Sequence, residues 1–378
     1  MSATSYDVIV VGLGAMGTAA ACELARRGHK VLGLEQFALG HDQGSSHGHT
    51  RIIRTAYFEH PSYVPLVRRS FTGWYELEQR QGLKLLTECP CLSLGGPDSE
   101  LVAGVRQSAI EHGLAIEQLS ADDLRKRWPV FRFGPTFGGM IEQAAGFLYV
   151  EDCVRAFAAE ARRFGATLRE GEPVVSWQAD AASVTVQTST GRYQAARLVL
   201  TAGPWARQLL ARWGARLTVM RQVAFWLGPR DASLFRRDRF PIFIADIPGG
   251  PFYGLPALDS HGLKVARHYG APELTDPSAI DRNVRDEDEE PVRRFVREHL
   301  PDADGPRRRA SVCIYTLTPD RHFLLDRHPE HPQVALAAGF SGHGFKFAPV
   351  VGEILADLVE HGQTSWPIEM FRITRFAG

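Results

Sequence analysis

The sequence predicts an α/β protein (α+β overall), in which a Rossmann-like nucleotide-binding part is joined to a second part built on an antiparallel sheet. Three observations predict it. The β-branched run Tyr6–Val11 gives way to Gly12-Leu-Gly-Ala-Met-Gly17 and then to a helical pattern from Thr18 to Arg27. The same strand–turn grammar returns at Arg197–Thr201, before Ala202-Gly203-Pro204-Trp205, and at Gln333–Ala338, before Gly339-Phe-Ser-Gly-His-Gly344. From about 217 to 268 the pattern is alternating and aromatic, as in a broad antiparallel sheet.

In the first unit, Ala19, Cys22, Leu24 and Ala25 form the apolar side of the helix and Gly28 stops it. Val31–Leu34 is the second strand and ends at Glu35. The stretch Gln43 to Arg54 is rich in Gly, Ser and His, too ordered in chemistry for a linker. Pro61 to Gln79 reads as a long amphipathic helix, and 99–112, 121–127 and 151–164 read as further helices. Strands follow at 173–177, 183–188 and 197–201. Residues 276–290 are charged and loop-like, and a helix near 290–299 precedes Cys313. The last helix runs from about Lys346 to Glu360, with Pro349 tolerable only because it falls in the first turn.

Composition narrows the function. A length of 378 residues suits two domains or one large composite one, and 44% hydrophobic content supplies a sizeable core. Lys+Arg and Asp+Glu both total 43, so the basic excess of a nucleic-acid binder is missing. Only five basic residues are lysines (Lys30, Lys84, Lys126, Lys264, Lys346), which singles each out for chemistry a guanidinium cannot supply. Five irregularly spaced cysteines give neither a disulfide framework nor metal-ligand spacing. No run approaches the roughly 18–20 apolar residues of a membrane span. The first strand follows no signal-like region, and the C-terminal Phe-Ala-Gly is not a peroxisomal address. The expectation is a cytoplasmic protein with no metal and no membrane or nucleic-acid partner.

Gly12, Gly14 and Gly17 lie between strand and helix, with Glu35 roughly twenty residues on. The first glycine permits the turn, the second admits a pyrophosphate to the backbone, and the third packs helix on strand. Glu35 is placed to accept ribose hydroxyls. This predicts dinucleotide binding without choosing between FAD and NAD.

Two further segments carry more. One is Gly44-Ser-Ser-His47-Gly-His-Thr50-Arg51-Ile-Ile-Arg54. The other runs from Cys313-Ile-Tyr315-Thr-Leu-Thr-Pro-Asp320 through His322-Phe-Leu-Leu-Asp326 to Gly339-Phe-Ser-Gly-His-Gly-Phe-Lys346. Together with Tyr253-Gly-Leu-Pro256 and Gly262-Leu-Lys264-Val-Ala-Arg-His268, they resemble the family of monomeric sarcosine oxidase and N-methyl-L-tryptophan oxidase. These are FAD-dependent amine oxidases of the D-amino acid oxidase superfamily, and the resemblance spans essentially the whole chain.

The resemblance implies a discontinuous FAD-binding domain of glutathione-reductase type over 1–85, 150–212 and 308–378. A substrate-binding domain would cover 86–149 and 213–307. It implies FAD attached through its 8α-methyl to the sulfur of Cys313, with His47, Thr50 and Arg51 close to the flavin ring. Arg54 and Lys346 correspond to a carboxylate clamp. Lys264 corresponds to a lysine near flavin N5 that assists oxygen, and His268, four residues on, is expected on the same strand face. Tyr253, Tyr315 and Ile244 correspond to pocket walls. Ala202 and Gly203 belong to the middle turn, and Gly339, Gly342 and Gly344 to the turn passing the pyrimidine edge. Two departures stand out. His49 replaces an Asp usual in the family, which affects the bonding expected around Arg51. Ile244 replaces the Met of sarcosine oxidases, which weakens the case for sarcosine itself.

The implied activity is oxidation of a small N-methyl amino acid by oxygen in a monomeric enzyme, releasing aldehyde and hydrogen peroxide. The alternatives are N-methyltryptophan, a cyclic imino acid such as pipecolate or proline, or a flavin dehydrogenase using another acceptor. A non-catalytic flavoprotein would not need Arg54, Lys264, Cys313 and Lys346 together. An NAD-linked dehydrogenase leaves the Cys313 and Gly339–Lys346 segments unexplained.

Overall fold

The computed structural model describes residues 6–214 and 216–376. The first five residues of the expected nucleotide-binding domain, Ala215 and the last two residues of the C-terminal tripeptide lie outside them. Among the described residues the strands form sheets of eight, nine and three strands. No described helix is long and apolar enough to cross a membrane.

The eight-stranded sheet is the Rossmann-like part. Tyr6–Val11 lies between two parallel neighbours, Val31–Leu34 and Arg192–Leu200. The second half of Arg192–Leu200 pairs in parallel with His331–Ala338, while its first half pairs antiparallel with Val184–Thr188. Both faces of the first strand are buried. Val8 and Val10 enter one core with the helices Ala15–Arg26, Val64–Gln81, Val150–Arg163 and Ala348–His361. Ile9 and Val11 enter the other with Leu198, Leu200 and Leu336. A continuous apolar run is what a parallel strand covered on both sides requires.

The nine-stranded sheet contains Thr218–Leu227, Ile242–Ile247, Gly250–Leu255 and Leu263–Arg267, so the alternating region forms the predicted sheet. Its pairs are antiparallel except Ile242–Ile247 with Cys91–Gly95. One face packs on the helix Asp286–His299, where Phe295 stacks on Phe252 with ring centroids 4.5 Å apart. Burying a phenylalanine there contributes about 2–3 kcal/mol.

Several boundaries differ from expectation. The helix expected near 290–299 begins at Asp286, inside the stretch read as loop. Four acidic residues in its first turn complement the helix dipole, and Pro291 sits inside it. The chain at Phe345–Phe347 is a 3₁₀ turn, and the last α-helix starts at Ala348 with Pro349 in its first turn. The strand carrying Cys313, Arg307–Leu317, is bonded along its length to Thr218–Leu227. The nine-stranded sheet therefore continues past the boundary drawn at 308.

Candidate active site

A cavity of about 200 Å³ runs past the C-terminal ends of the parallel strands, lined by Val11, Leu34, Thr201 and Ala337. Open α/β sheets bind ligands at this end. Gly12, Gly14, Glu35, Ala202 and Gly203 line the cavity, as do Arg51, Cys313, Gly339, Gly342 and Gly344. Gly17 stands behind it. A Cβ there would lie 1.8 Å from the Gly12 carbonyl oxygen, so only glycine lets the helix seat on the turn. The helix Ala15–Arg26 starts here with no acidic residue in its first turn, leaving its positive end to a phosphate. Ser46 Oγ accepts from the Ala15 N–H at 3.1 Å and ties the polar segment to the helix start. Glu35 is buried and accepts from the N–H groups of Leu13 at 2.7 Å and Phe37 at 3.0 Å. Burial pushes its pKa up.

Cys313 lies where this cavity meets a second one of about 90 Å³. Arg51, Cys313, Tyr315, Gly342 and Phe345 line both. Gly342, at φ +84°, cannot carry a side chain, because a Cβ would lie 2.4 Å from the Tyr315 ring. Arg51 donates to the carbonyls of Thr50 at 3.0 Å and Ser45 at 3.1 Å, and its Nη2 lies 3.2 Å from Cys313 Sγ. Backbone carbonyls thus hold Arg51. His49 instead takes positive φ, its N–H faces Glu151, and its Nε2 lies 3.8 Å from Asp259. Burial alone would raise the Cys313 thiol. The positive charge of Arg51, followed by His47 and Lys264, outweighs it and brings the pKa down to about 6.

The second cavity is lined by His47, Thr50, Arg54, Ile244, Tyr253, Lys264, His268 and Lys346. Lys264 donates to the carbonyls of Gly48 and Thr50, both at 2.8 Å, and lies 4.9 Å from the centre of the Trp226 ring. Burial, then repulsion from Arg51, lowers its pKa well below the lysine value. The strand ends at Arg267, so His268 follows it rather than sharing it. Its N–H bonds the Pro251 carbonyl, and its side chain still reaches the same cavity. Its Nδ1 lies 3.0 Å from the Tyr315 hydroxyl, and burial lowers its pKa to about 3, leaving it neutral. Burial raises the hydroxyls of Tyr253 and Tyr315.

Arg54 bonds Glu59 at 2.8 Å and the Ala56 carbonyl at 2.6 Å. Burial would raise Glu59, but Arg54, His343 and Lys346 hold it at about 2. Lys346 donates to the His343 carbonyl at 2.8 Å and the Tyr57 hydroxyl at 3.3 Å. Burial, then Arg54, lowers it to about 7.

Tyr57, Glu59, His343, Ser46 and Gln222 were not singled out from the sequence. The first two follow Arg54 directly, and Ser46 and His343 lie inside the quoted segments, so proximity was a signal. Gln222 had none, since only strand register sets it opposite Cys313. Its Nε2, His47 Nε2 and Thr316 Oγ1 are buried without partners and belong to residues lining these cavities. Such orphaned groups, with the glycine-lined wall and the acidified thiol, fit a polar heteroaromatic cofactor such as FAD.

Comparisons with known proteins agree with this chemistry. Monomeric sarcosine oxidase of Streptomyces avermitilis is 43% identical over 378 residues, covering 99% of this chain and 98% of that protein. N-methyl-L-tryptophan oxidase of Salmonella typhimurium is 36% identical, covering 98% of this chain and 99% of that one. The structure of NikD, described as an unusual amino acid oxidase essential for nikkomycin biosynthesis, superposes with a TM-score of 0.84 at 28% identity. It covers 97% of each chain. The family model for FAD dependent oxidoreductases (DAO) matches residues 7–358. With that match running nearly end to end over a Rossmann-like sheet and its cavity, this chain belongs to the DAO family of FAD-dependent oxidoreductases.

Proposed function

We propose that the protein is an oxidase of small N-methyl (secondary) amino acids, sarcosine-oxidase-like, with FAD attached to Cys313 through its 8α carbon. The overall reaction consumes the amine, oxygen and water and yields the demethylated amine, formaldehyde and hydrogen peroxide. The observation that carries the reading is the second cavity, where Arg54 and Lys346 share a space with neutral His268, next to a thiol held near 6. Glu59 lines the same cavity and pairs with Arg54, so a bound carboxylate would draw on Lys346 and on the guanidinium donors left free. A neutral imidazole beside them adds no charge that would repel the amine.

The first cavity would hold the cofactor through the Gly12–Gly17 turn, Glu35, Ala202, Gly203 and the Gly339–Gly344 turn, with His47, Thr50 and Arg51 at Cys313. Bound FAD supplies a two-electron acceptor. Arg54 and Lys346 orient the carboxylate, His268 faces the amine, and Tyr253, Tyr315 and Ile244 shape the wall. Lys264 provides a fixed positive charge for the oxygen half of the reaction. An anion bound nearby favours its ammonium form and offsets the effect of burial. We assign 1–85, 150–212 and 308–378 to FAD binding and 86–149 and 213–307 to the substrate side, in a cytoplasmic monomer. Ile244 in the wall keeps a second reading open, in which N-methyltryptophan, pipecolate or proline is preferred.

Acid precipitation tests the attachment: flavin colour stays in the pellet if it is covalent and leaves with the supernatant if it is not. Peroxide release with sarcosine, N-methyltryptophan and pipecolate then ranks the substrates. Dye reduction without peroxide would reject the oxidase reading in favour of a dehydrogenase.

A further inference from the structure

Behind Lys346 lies a buried hydrogen-bond chain that the proposed chemistry does not use. The His343 Nε2 lies 3.0 Å from the Arg321 carbonyl. A carbonyl only accepts, so Nε2 carries the hydrogen, and in a neutral ring Nδ1 must accept. Burial keeps the ring neutral, lowering its pKa to about 4. The donor to Nδ1 is the Tyr57 hydroxyl at 2.7 Å, which also lies 3.1 Å from the His343 carbonyl. With its hydrogen committed, the Tyr57 oxygen offers a lone pair to Lys346 Nζ at 3.3 Å, and the His343 carbonyl accepts a second Lys346 hydrogen at 2.8 Å. The chain runs one way, from Lys346 through Tyr57 and His343 to Arg321.

The Tyr57 ring also meets two like charges. It is fully buried, with the Arg54 guanidinium 4.5 Å and Lys346 Nζ 5.1 Å from its centre. Tyr63 and Phe347 pack against it with centroids 4.7 Å and 5.3 Å away, and Ser108 Oγ bonds its carbonyl. The ring attracts the guanidinium, and its hydroxyl meets the ammonium.

We propose that Tyr57 and His343 are positioning residues for Lys346, taking two of its three ammonium hydrogens and leaving the third for the carboxylate of a bound amino acid. This rests on the reading that Lys346 receives that carboxylate. The charged and titratable groups around Lys346 are Arg54, Glu59, Cys91 and Arg51, together with the neutral rings of His343 and His268 and the Tyr57 hydroxyl. Of these, Glu59 is the one that stabilises its charged form most, and Arg54 opposes it most. Beside these charges, the Tyr57 oxygen at 3.3 Å is a neutral acceptor that favours the ammonium form.

The test uses the flavin-loaded protein and the binding of propanoate, read from the flavin absorbance between about pH 6 and 9. In the unaltered protein propanoate binding weakens as pH rises through about 7, where Lys346 loses its charge. Tyr57→Phe keeps the ring and should weaken propanoate about tenfold, with the midpoint moved to lower pH, since an acceptor to a charged donor is lost. His343→Gln keeps the backbone carbonyl and removes only the ring that takes the Tyr57 hydrogen, so it should move both in the same direction by a smaller amount. Propanamide, which needs no cation, should bind all three proteins within about twofold. Equal weakening of propanamide in Tyr57→Phe would mark a merely structural residue and overturn the proposal. So would an unchanged propanoate affinity and midpoint in both variants. Lys346→Met separates the two levels. If it leaves propanoate binding intact, the carboxylate reading fails and takes the proposal with it. If it weakens propanoate while Tyr57→Phe and His343→Gln do not, only the positioning role fails.

Discussion

Replacing Arg51 by Gln should cripple flavin attachment by reprotonating Cys313. The thiol is held at about 6 against an ordinary value of 9.0, with Arg51 the strongest counterweight to burial, 3.2 Å from the sulfur. At about pH 7.5 a group with a pKa near 6 is roughly 97% thiolate, whereas one near 9 is roughly 3%. Burial raises the thiol while His47 and Lys264 still lower it without Arg51, so Arg51→Gln lowers the reactive species by up to about 30-fold. Attachment should slow by the same factor. Two assays check this on flavin-free protein: the ultraviolet thiolate absorbance followed through a pH titration, and the rate at which flavin fluorescence becomes inseparable from the denatured polypeptide after FAD is added. The substitution strips a donor from the Ser45 and Thr50 carbonyls, a loss of about 1–3 kcal/mol, so thermal unfolding is measured alongside. Arg51→Lys, which keeps charge but not the guanidinium fork, should fall between the two. A Cys313 that still titrates near 6 in folded Arg51→Gln, or attachment at an unchanged rate, would refute the electrostatic argument.

Lys264→Met preserves volume but removes the charge. Rapid-mixing kinetics should show reoxidation by oxygen slowed about 10²–10³-fold, with reduction by substrate changed far less; equal slowing of both steps would remove the assigned role. Glu59 is lowered by Arg54 to about 2 from 4.5. A depressed carboxyl stabilises the fold above its unfolded pKa, and this is lost as pH falls from about 4.5 through 2, up to about 3 kcal/mol. Glu59→Gln should therefore flatten the acid-unfolding profile in that window. A profile identical to the unaltered protein would count against the Arg54–Glu59 pair. Gly17→Ala puts a methyl 1.8 Å from the Gly12 oxygen, so it should destabilise by about 1–3 kcal/mol or more and weaken FAD retention, as thermal unfolding and flavin release would show.

The fold was largely legible because its signals are local. Gly12, Gly14 and Gly17 follow a β-branched strand, and the alternation after 217 has the period of a sheet. The boundary at 286 was misread because a run of acids looks like loop until a helix N-terminus is there to use it. Much of the candidate site was legible through the quoted segments, yet its wiring was not. Arg54 and Lys346 read as a carboxylate clamp, with no partners of their own assigned. In the fold, Arg54 already carries Glu59, and Lys346 leans on Tyr57 and His343. Gln222 was invisible because its position opposite Cys313 comes from a pairing between strands some ninety residues apart.

The sequence by itself determined the nucleotide-binding turn, the longer helices and the alternating sheet region, and which residue types were available for a cofactor, because φ preferences and apolar periodicity act over a few residues. Only the tertiary structure decided that Cys313 is acidified and that His268 stays neutral. It also decided how the charge of Lys346 is poised. Those properties depend on desolvation and on charges brought within a few ångströms from distant parts of the chain, and Coulomb interactions and burial are set by separation in space rather than along the backbone.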